Sequence, residues 1–596
     1  MMSPVGRRAV LLGAAAAIGT AGLPLSTKAA PGPSSGALSP VTMAMHLHAS
    51  FSEGVGSMAG HLDQATKLGV DVVWWTDHDF RLMAHGYRTA VGFDGMEETQ
   101  DGRWWRWAEA KQGTLGEASG RFVAEPRSPD EPGKALALKA SGDGTLWYTA
   151  SAWNSTYNTS LADTTLSLDV LAEQVGPDAQ LVVDVLASHH PATGGRPAGQ
   201  YRVEYRIGGV NEVQHSANGL VGTVRLPVPR GRWTRLEFTP VQDIAALWPD
   251  LNAADNSLLQ LRIGVRSARN TPSEFVVDRL RIARARRAGD DALALRQEIM
   301  DRNAKRFPDV VQRSALEVSL TRHLNWFGEK VVLPDYSGKP PVKDPSEALA
   351  KQMVAFIHSH GGLASYNHPL EGELNTPQKL AEALLAGSGL GGVDIVEIGC
   401  GMALPKLLHV LDVSARNALF FTGTGVSDDH AGKDWVNQKT NWITGVWAGS
   451  AGTADLLGSL RAGRAWFTDP KRWRGSLEAT VNGASAMGGG LLSSAKKVPL
   501  TVTVTDAPAD GRVELVTGVV DYAGAGQLDP ATTSRSVRVS ELTGGRWNLD
   551  VEPGEGSFVR SVVRDGAGEV VGVGNPTWLL SRPPAGGVPR ERALPG

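Results

Sequence analysis

His46 and His48 stand at i and i+2 directly after the apolar string Val41-Thr42-Met43-Ala44-Met45, and Thr76-Asp77-His78-Asp79 ends the run Val70-Asp71-Val72-Val73-Trp74-Trp75. A strand turns alternate side chains to one face, so the two imidazoles can grip one ion together. The second run reads as a buried parallel strand with its polar residues at the C-terminal tip, where barrel enzymes place their ligands. Three strings far downstream extend the set. Ala315-Leu316-Glu317-Val318-Ser319-Leu320-Thr321-Arg322-His323 supplies a carboxylate and an imidazole. Gly361-Gly362-Leu363-Ala364-Ser365-Tyr366-Asn367-His368-Pro369 reads as a turn, a short strand and a histidine held by proline. Phe420-Phe421-Thr422-Gly423-Thr424-Gly425-Val426-Ser427-Asp428-Asp429-His430 runs from a strand into a second i, i+2 pair, Asp428 and His430. Nitrogen and oxygen donors without a thiolate suit Zn, Mn or Fe and single out none of them.

The ordered set resembles the PHP family, the polymerase and histidinol phosphatase hydrolases, over residues 41 to 95 and 300 to 468. The resemblance implies an α/β fold, a distorted (β/α)7 barrel, holding two or three divalent ions. It places one ion on His46, His48, Glu317 and Asp428. Glu317 would reach a second ion completed by His323 and His368, and a third would take Glu53, His78 and His430. The family more often shows Asp or His where this chain has Glu53. The implied chemistry is hydrolysis by a hydroxide shared between the first two ions, with Glu317, Asp428 and His78 as catalytic residues. Three clustered cations suit a multiply charged phosphoryl group better than a neutral carbonyl, so a phosphomonoester or phosphodiester is the expected substrate. The carbaryl-hydrolase-like branch, with a similar C-terminal sandwich, includes enzymes resembling esterases and amidases. A metal-dependent esterase or amidase therefore stays open, as does a secreted glycan-binding protein with a degenerate barrel.

Taken singly, each of these residues has a bland reading; the joint order of five motifs at strand ends is what tilts the balance. Other candidates fare less well. His61, on an expected helix Met58 to Leu68, and His358 and His360, ending another from Glu347 to Ser359, fit helix-terminal or surface positions. His189-His190 reads as loop. Arg81 and His85 lie close enough to the Thr76-Asp77-His78 tip to line the same mouth, with a solvated loop as the alternative. Glu397 ends the strand Val393 to Ile398 and is expected to border the pocket without being a ligand. Cys400, the only cysteine, rules out an intramolecular disulfide and reads as a small buried side chain.

A chain of 596 residues exceeds one core. Its net charge of -3 offers no bulk attraction for nucleic acid. Residues 1–40 read as an export signal and linker: Arg7-Arg8, an apolar stretch of 17 residues from Ala9 to Leu25, then a Pro/Gly/Ser stretch. Val10 stands where the twin-arginine pattern prefers Phe, which leaves Sec export open, and the stretch is at the short limit for a membrane anchor. The barrel is expected in two parts, 41–95 and 290–472. Between them, residues 96–289 lack helical patterning and read as an inserted antiparallel β-sandwich, similar to carbohydrate-binding jelly rolls. Trp104, Trp105, Trp107, Trp147 and Trp153 would either stack on sugars or pack in the core, with the core favoured. A polymer-binding insert predicts that deleting 96–289 weakens action on a polymer more than on a small phosphoester. Residues 473–582 read as a second sandwich, and 583–596 as a disordered tail.

Overall fold

The computed structural model describes residues 38–52, 54–82, 90–94, 98–99, 107–123, 134–151, 160–269, 271–284, 289–334, 336, 343–386, 389–437, 441–523 and 526–594. The chain is mostly β-sheet with few helices. Nine strands carry or border the site: β1 (Ser39–Ala44), β2 (Val72–Trp75), β3 (Val311–Val318), β4 (Leu324–Phe327), β5 (Leu363–Tyr366), β6 (Ile395–Gly399), β7 (Thr422–Gly425), β8 (Ile443–Ala448) and β9 (Ala465–Thr468). They form one hydrogen-bonded path in the order β7-β6-β5-β4-β3-β2-β1-β8-β9. Helices α1 (Met58–Leu68), α2 (Gly289–Arg306), α3 (Glu347–Ser359), α4 (Pro377–Leu385), α5 (Leu404–Arg416) and α6 (Thr453–Arg461) make most of the crossovers.

The parallel β/α pattern is broken at β3–β4, and β8 also runs antiparallel to both of its neighbours, β1 and β9. β3 and β4 follow each other without a helix and pair antiparallel, and β4 is again antiparallel to β5, whereas β1–β2, β2–β3, β5–β6 and β6–β7 are parallel. This hairpin puts Glu317, near the end of β3, within six residues of His323, just before β4. A helical crossover needs a dozen or more residues and would separate them.

Alternate residues of β2 enter different apolar clusters, Val72 and Trp74 in one and Val73 and Trp75 in the other, so both faces of the strand are covered. That explains its unbroken apolar sequence. The helices match their expected bounds because their ends are coded locally. Ser57 caps α1 by accepting from the Gly60 amide, and Gly69 ends it in the left-handed conformation at φ 68°. Ser346 caps α3 by accepting from Leu349.

The insert is largely antiparallel around its own core, with one parallel pair, Val221–Leu226 beside Gly199–Ile207. Its strands include Thr164–Gln174, Gln180–His190, Gly199–Ile207, Trp233–Phe238, Gln260–Ser267 and Ser273–Arg284. Three readings need correction, and Trp147 keeps the core placement favoured for it. A helix, Pro240–Leu247, lies in the segment expected to lack helices; its proline at the first turn and its buried Ile244 and Leu247 stabilise a helix too short to show as periodicity. His189 and His190 belong to the strand Gln180–His190, not to a loop. Residues 90–94, read with the first barrel part, pair instead with Leu280–Ala283 in the insert's sheet. Trp147 is buried, donates from Nε1 to Gln112 Oε1 and has the Arg262 guanidinium 4.2 Å from its ring, so it offers no open sugar platform. Trp104, Trp105, Trp153 and His85 lie outside the described residues, as does the side chain of Trp107.

The C-terminal sandwich is not a detached module. β9 pairs with Val570–Gly574, so the first sheet continues through Gly556–Arg564 and Arg512–Val519, and a four-stranded sheet that includes Leu477–Val481 and Val498–Val504 shares a core with this extension. The segment expected as a disordered tail is ordered to Leu594. Arg592 is buried and donates to the carbonyls of Phe421 and Arg461 and to Thr422 Oγ1, a set of acceptors that pins the tail beneath β7. Among the described residues no helix is long and apolar enough to cross a membrane.

Candidate metal centre

Glu317 is the hub. Its buried carboxylate faces His78 Nδ1 at 2.6 Å, His323 Nδ1 at 2.8 Å, His48 Nε2 at 3.3 Å, His368 Nε2 at 3.5 Å and His46 Nε2 at 3.8 Å. Asp428 closes the opposite side, with Oδ1 3.3 Å from His46 Nε2 and 3.1 Å from His48 Nε2. Of the nine residues singled out in the sequence, eight are thus brought to one place or against its members; Glu53 lies outside the described residues.

The donor atoms group as His46, His48 and Glu317; His48, Asp428 and His430; and His78, Glu317 and His323. This differs in detail from the sets implied by the family resemblance. His78 gathers with Glu317 and His323 rather than with His430, because the parallel bridge between His78 and Glu317 aligns the β2 and β3 tips side by side. His430 stacks on His48 at 4.3 Å between ring centroids.

A second layer of residues fixes which nitrogen of each imidazole faces inward. His46 Nδ1 donates to Glu397 Oε1 at 2.8 Å. Ser52 donates to Asp77 Oδ1 and so accepts from His48 Nδ1 at 3.2 Å. The Nε2 atoms of both rings are left to face each other at 3.2 Å, about the spacing of two nitrogens that share a tetrahedral ion. His430 Nδ1 donates to the Asp428 carbonyl, whereas His78 Nδ1 lies against both Glu317 Oε2 at 2.6 Å and Ser319 Oγ at 2.5 Å.

The donor set fits a cation. Glu317 Oε2 and Asp428 Oδ1 are buried without a hydrogen bond of acceptable geometry although imidazole nitrogens crowd them. Atoms aimed at a common centre behave this way; atoms paired with each other do not. Backbone strain points to the same place. His323, His368 and Asp428 are non-glycine residues at φ 34°, 27° and 51°, conformations costing about 1–3 kcal/mol each that persist where the surroundings over-determine them.

Electrostatics without an ion show what the cage stores. Burial pulls the His48 imidazole down, but Asp428 and Glu317 outweigh it and push it up to about 10. His368 is likewise pulled down by burial and raised to about 10 by Glu317, Glu371 and Glu397. Burial pushes Glu317 up, yet the charges of His78 and His323 hold it well below the usual carboxylate range. Next to the cage, burial raises the Asp79 carboxyl to about 6 against a hydrogen bond from Tyr336.

Several residues of the site carry no signal of their own in the sequence. Glu397, expected only to border the pocket, orients His46 and also accepts from the His368 amide at 2.7 Å and from Asn325 Nδ2 at 3.3 Å. Asn367 donates to Glu317 Oε1 at 3.0 Å; its place beside His368 was the one available hint. His61 is not a surface residue. It is buried, its Nε2 donating to the His48 carbonyl and its Nδ1 3.3 Å from Asp429, which also accepts from Trp435 Nε1. His358 and His360 are exposed, and Arg81 is buried.

No family model matches the chain, and no curated protein matches it. Among solved structures it is similar to a two-domain protein from Bacteroides vulgatus containing a predicted PHP-like metal-dependent phosphoesterase: 15% identity, 47% of this chain and 78% of that one, TM-score 0.23. It is also similar to a xylan-binding domain of CBM 22, at 12% identity over 34% of this chain and 97% of that one, TM-score 0.19. A carbohydrate-binding module of the beta-sandwich superfamily matches at 13% identity and TM-score 0.17, over 30% of this chain; the chain spans 58% of that protein.

Proposed function

We propose that the chain is an exported metal-dependent phosphoesterase on a distorted (β/α)7 barrel, acting on phosphomonoesters or phosphodiesters, with an extracellular polymer or glycan-linked phosphate as the natural substrate. The observation that carries the reading is the convergence of His46, His48, His78, Glu317, His323, Asp428 and His430 into three contiguous donor groups that share Glu317 and His48. Two or three divalent ions bound there would lower the pKa of water and neutralise charge on a phosphoryl group.

The chain's own residues do the rest. Glu397 and the Asp77–Ser52 pair hold the protons of His46 and His48 on Nδ1, which keeps both Nε2 lone pairs directed inward. Glu317 and Asp428 supply the negative charge that lets cations sit close together. Lys343, exposed and 3.5 Å from His323 Nε2, places a positive charge at the rim, where an anionic substrate would arrive.

The test is elemental analysis of metal-replete protein followed by turnover on phosphomonoester, phosphodiester, carboxyl-ester and amide panels. Two or three transition-metal ions per chain with phosphoester cleavage is the expected result. Efficient cleavage of carboxyl esters or amides with both phosphoester classes untouched overturns the phosphoesterase reading in favour of an esterase or amidase on the same centre. One ion or none at full loading overturns the multinuclear centre.

A further inference from the structure

The insert contacts the segment that follows His48, and the buried carboxylate of Asp255 makes most of the side-chain hydrogen bonds there. Asp255 is fully buried, and each of its oxygens accepts two hydrogen bonds. Oδ1 accepts from Ser50 Oγ and from the Met58 amide, both at 2.8 Å, and Oδ2 accepts from the Ala59 amide at 3.0 Å and from Asn303 Nδ2 at 3.3 Å. Ser50 is two residues from His48. Met58 and Ala59 open α1, so a carboxylate of the insert satisfies the first-turn amides and complements the helix dipole. Asn303 lies on α2, after the insert.

The contact is reinforced from both sides. Ser257 donates to the Ser50 carbonyl at 3.1 Å, and the His189 carbonyl accepts from the Ser57 amide and hydroxyl at 3.0 and 2.8 Å. The His189 amide in turn donates to the Val55 carbonyl. The Val55 and Gly56 amides both donate to the His430 carbonyl, at 2.7 and 2.9 Å. Residues 49–52 and 54–57 are therefore gripped by the insert on one side and by the segment bearing Asp428 and His430 on the other.

We infer that Asp255 is a positioning residue for the metal centre and that the inserted sandwich is part of the scaffold of that centre. The inference rests on the metal-centre reading above, and it replaces the expectation that removing residues 96–289 weakens action on a polymer more than on a small phosphoester. A carboxylate is required because four donors converge on it; Asn keeps the shape but turns one acceptor into a donor facing other donors.

The experiment is titration of Co2+ into the metal-free full chain, followed by its visible spectrum, for wild type, Asp255→Asn, Ser257→Ala and Ile263→Val. Ile263 is buried in the insert's own core and makes none of these contacts, and its truncation supplies a general destabilisation of the insert. Asp255→Asn should weaken Co2+ binding about 10- to 100-fold and alter the cobalt spectrum, as loss of outer-shell support does at metal sites. Ser257→Ala should shift both in the same direction and less, keeping the question open to measurement should Asp255→Asn not fold, while Ile263→Val should leave both unchanged. Wild-type affinity and spectrum in the folded Asp255→Asn and Ser257→Ala proteins, or an equal loss in Ile263→Val, overturns the inference. Should wild type bind no Co2+, the metal reading fails by itself, and amide hydrogen exchange of residues 49–59 in metal-free protein decides the rest. Faster exchange in Asp255→Asn than in Ile263→Val supports the positioning role; equal exchange refutes it.

Discussion

Replacing Glu317 with Gln preserves the volume of the side chain and removes one negative charge from a site where five imidazoles lie within 3.8 Å of it. Glu317 belongs to two of the three donor groups, so two ions lose an anionic ligand together. Removing one partner from a buried charge pair costs about 3–5 kcal/mol. At about 1.4 kcal/mol per tenfold change, that weakens each affected ion by roughly 10²- to 10⁴-fold. Competition titration against a chelator should register this loss, with turnover falling by orders of magnitude at any metal concentration that saturates wild type. A second signature needs no metal. The His48 and His368 imidazoles, held up to about 10 partly by Glu317, should titrate lower in the metal-free variant, where burial acts with less opposition. NMR titration of the two rings reads it directly. A Glu317→Gln protein with wild-type metal content and turnover within a factor of about three would refute the reasoning, since it would show that the charge on Glu317 does not bind cations.

The same raised imidazoles set a pH dependence. With His48 and His368 at about 10 in the metal-free cage, ion binding must displace protons at neutral pH, so affinity should rise with pH and calorimetry in buffers of different ionisation enthalpy should detect proton release; no release would contradict the cage. The sign for stability follows: a pKa raised from 6.5 to about 10 on folding stabilises the metal-free protein fully below pH 6.5 and is lost as pH climbs to about 10, so its melting temperature should fall over that window while the metal-loaded protein changes less. Glu397→Gln should weaken metal binding about 10- to 100-fold by freeing the ring orientation of His46, and unchanged affinity would remove Glu397 from the site. Arg592→Ala strands the carbonyls of Phe421 and Arg461 and the Thr422 hydroxyl, and thermal or denaturant unfolding should show a loss of about 3 kcal/mol; a change under about 0.5 kcal/mol would mean the tail does not hold β7.

The candidate donor residues and their order along the chain are legible in the sequence because each motif is local. His46 and His48 follow a strand, His78 and Glu317 sit at or near the tips of apolar runs, and His368 and Asp428 follow short strands, so period and breaker residues suffice to place them. Helices α1 and α3 are readable for the same reason, since Ser57, Gly69 and Ser346 encode their ends within a few residues. Neighbours across the site are another matter. That His78 joins Glu317 and His323 depends on the β3–β4 hairpin, where the resemblance implied His78 beside Glu53 and His430.

The partners that orient the ligands were decided by tertiary structure alone. Glu397 meets His46 across 351 residues, and Asp255 meets Ser50 across 205. Neither carries a pattern, because a lone carboxylate in a strand or loop looks the same whether it faces water or a ring nitrogen. His61 shows the converse: its helix was readable, but its burial against Asp429 and Trp435 depends on a segment that returns more than 360 residues later. The apolar C-terminal strands announced a sandwich, yet their fusion to β9 rests on backbone hydrogen bonds, which every residue type can make and which therefore leave no trace in composition. Local periodicity and residue chemistry name the donors; only the folded chain determines which donors share an ion and what holds them there, since those contacts join segments whose sequences carry no information about each other.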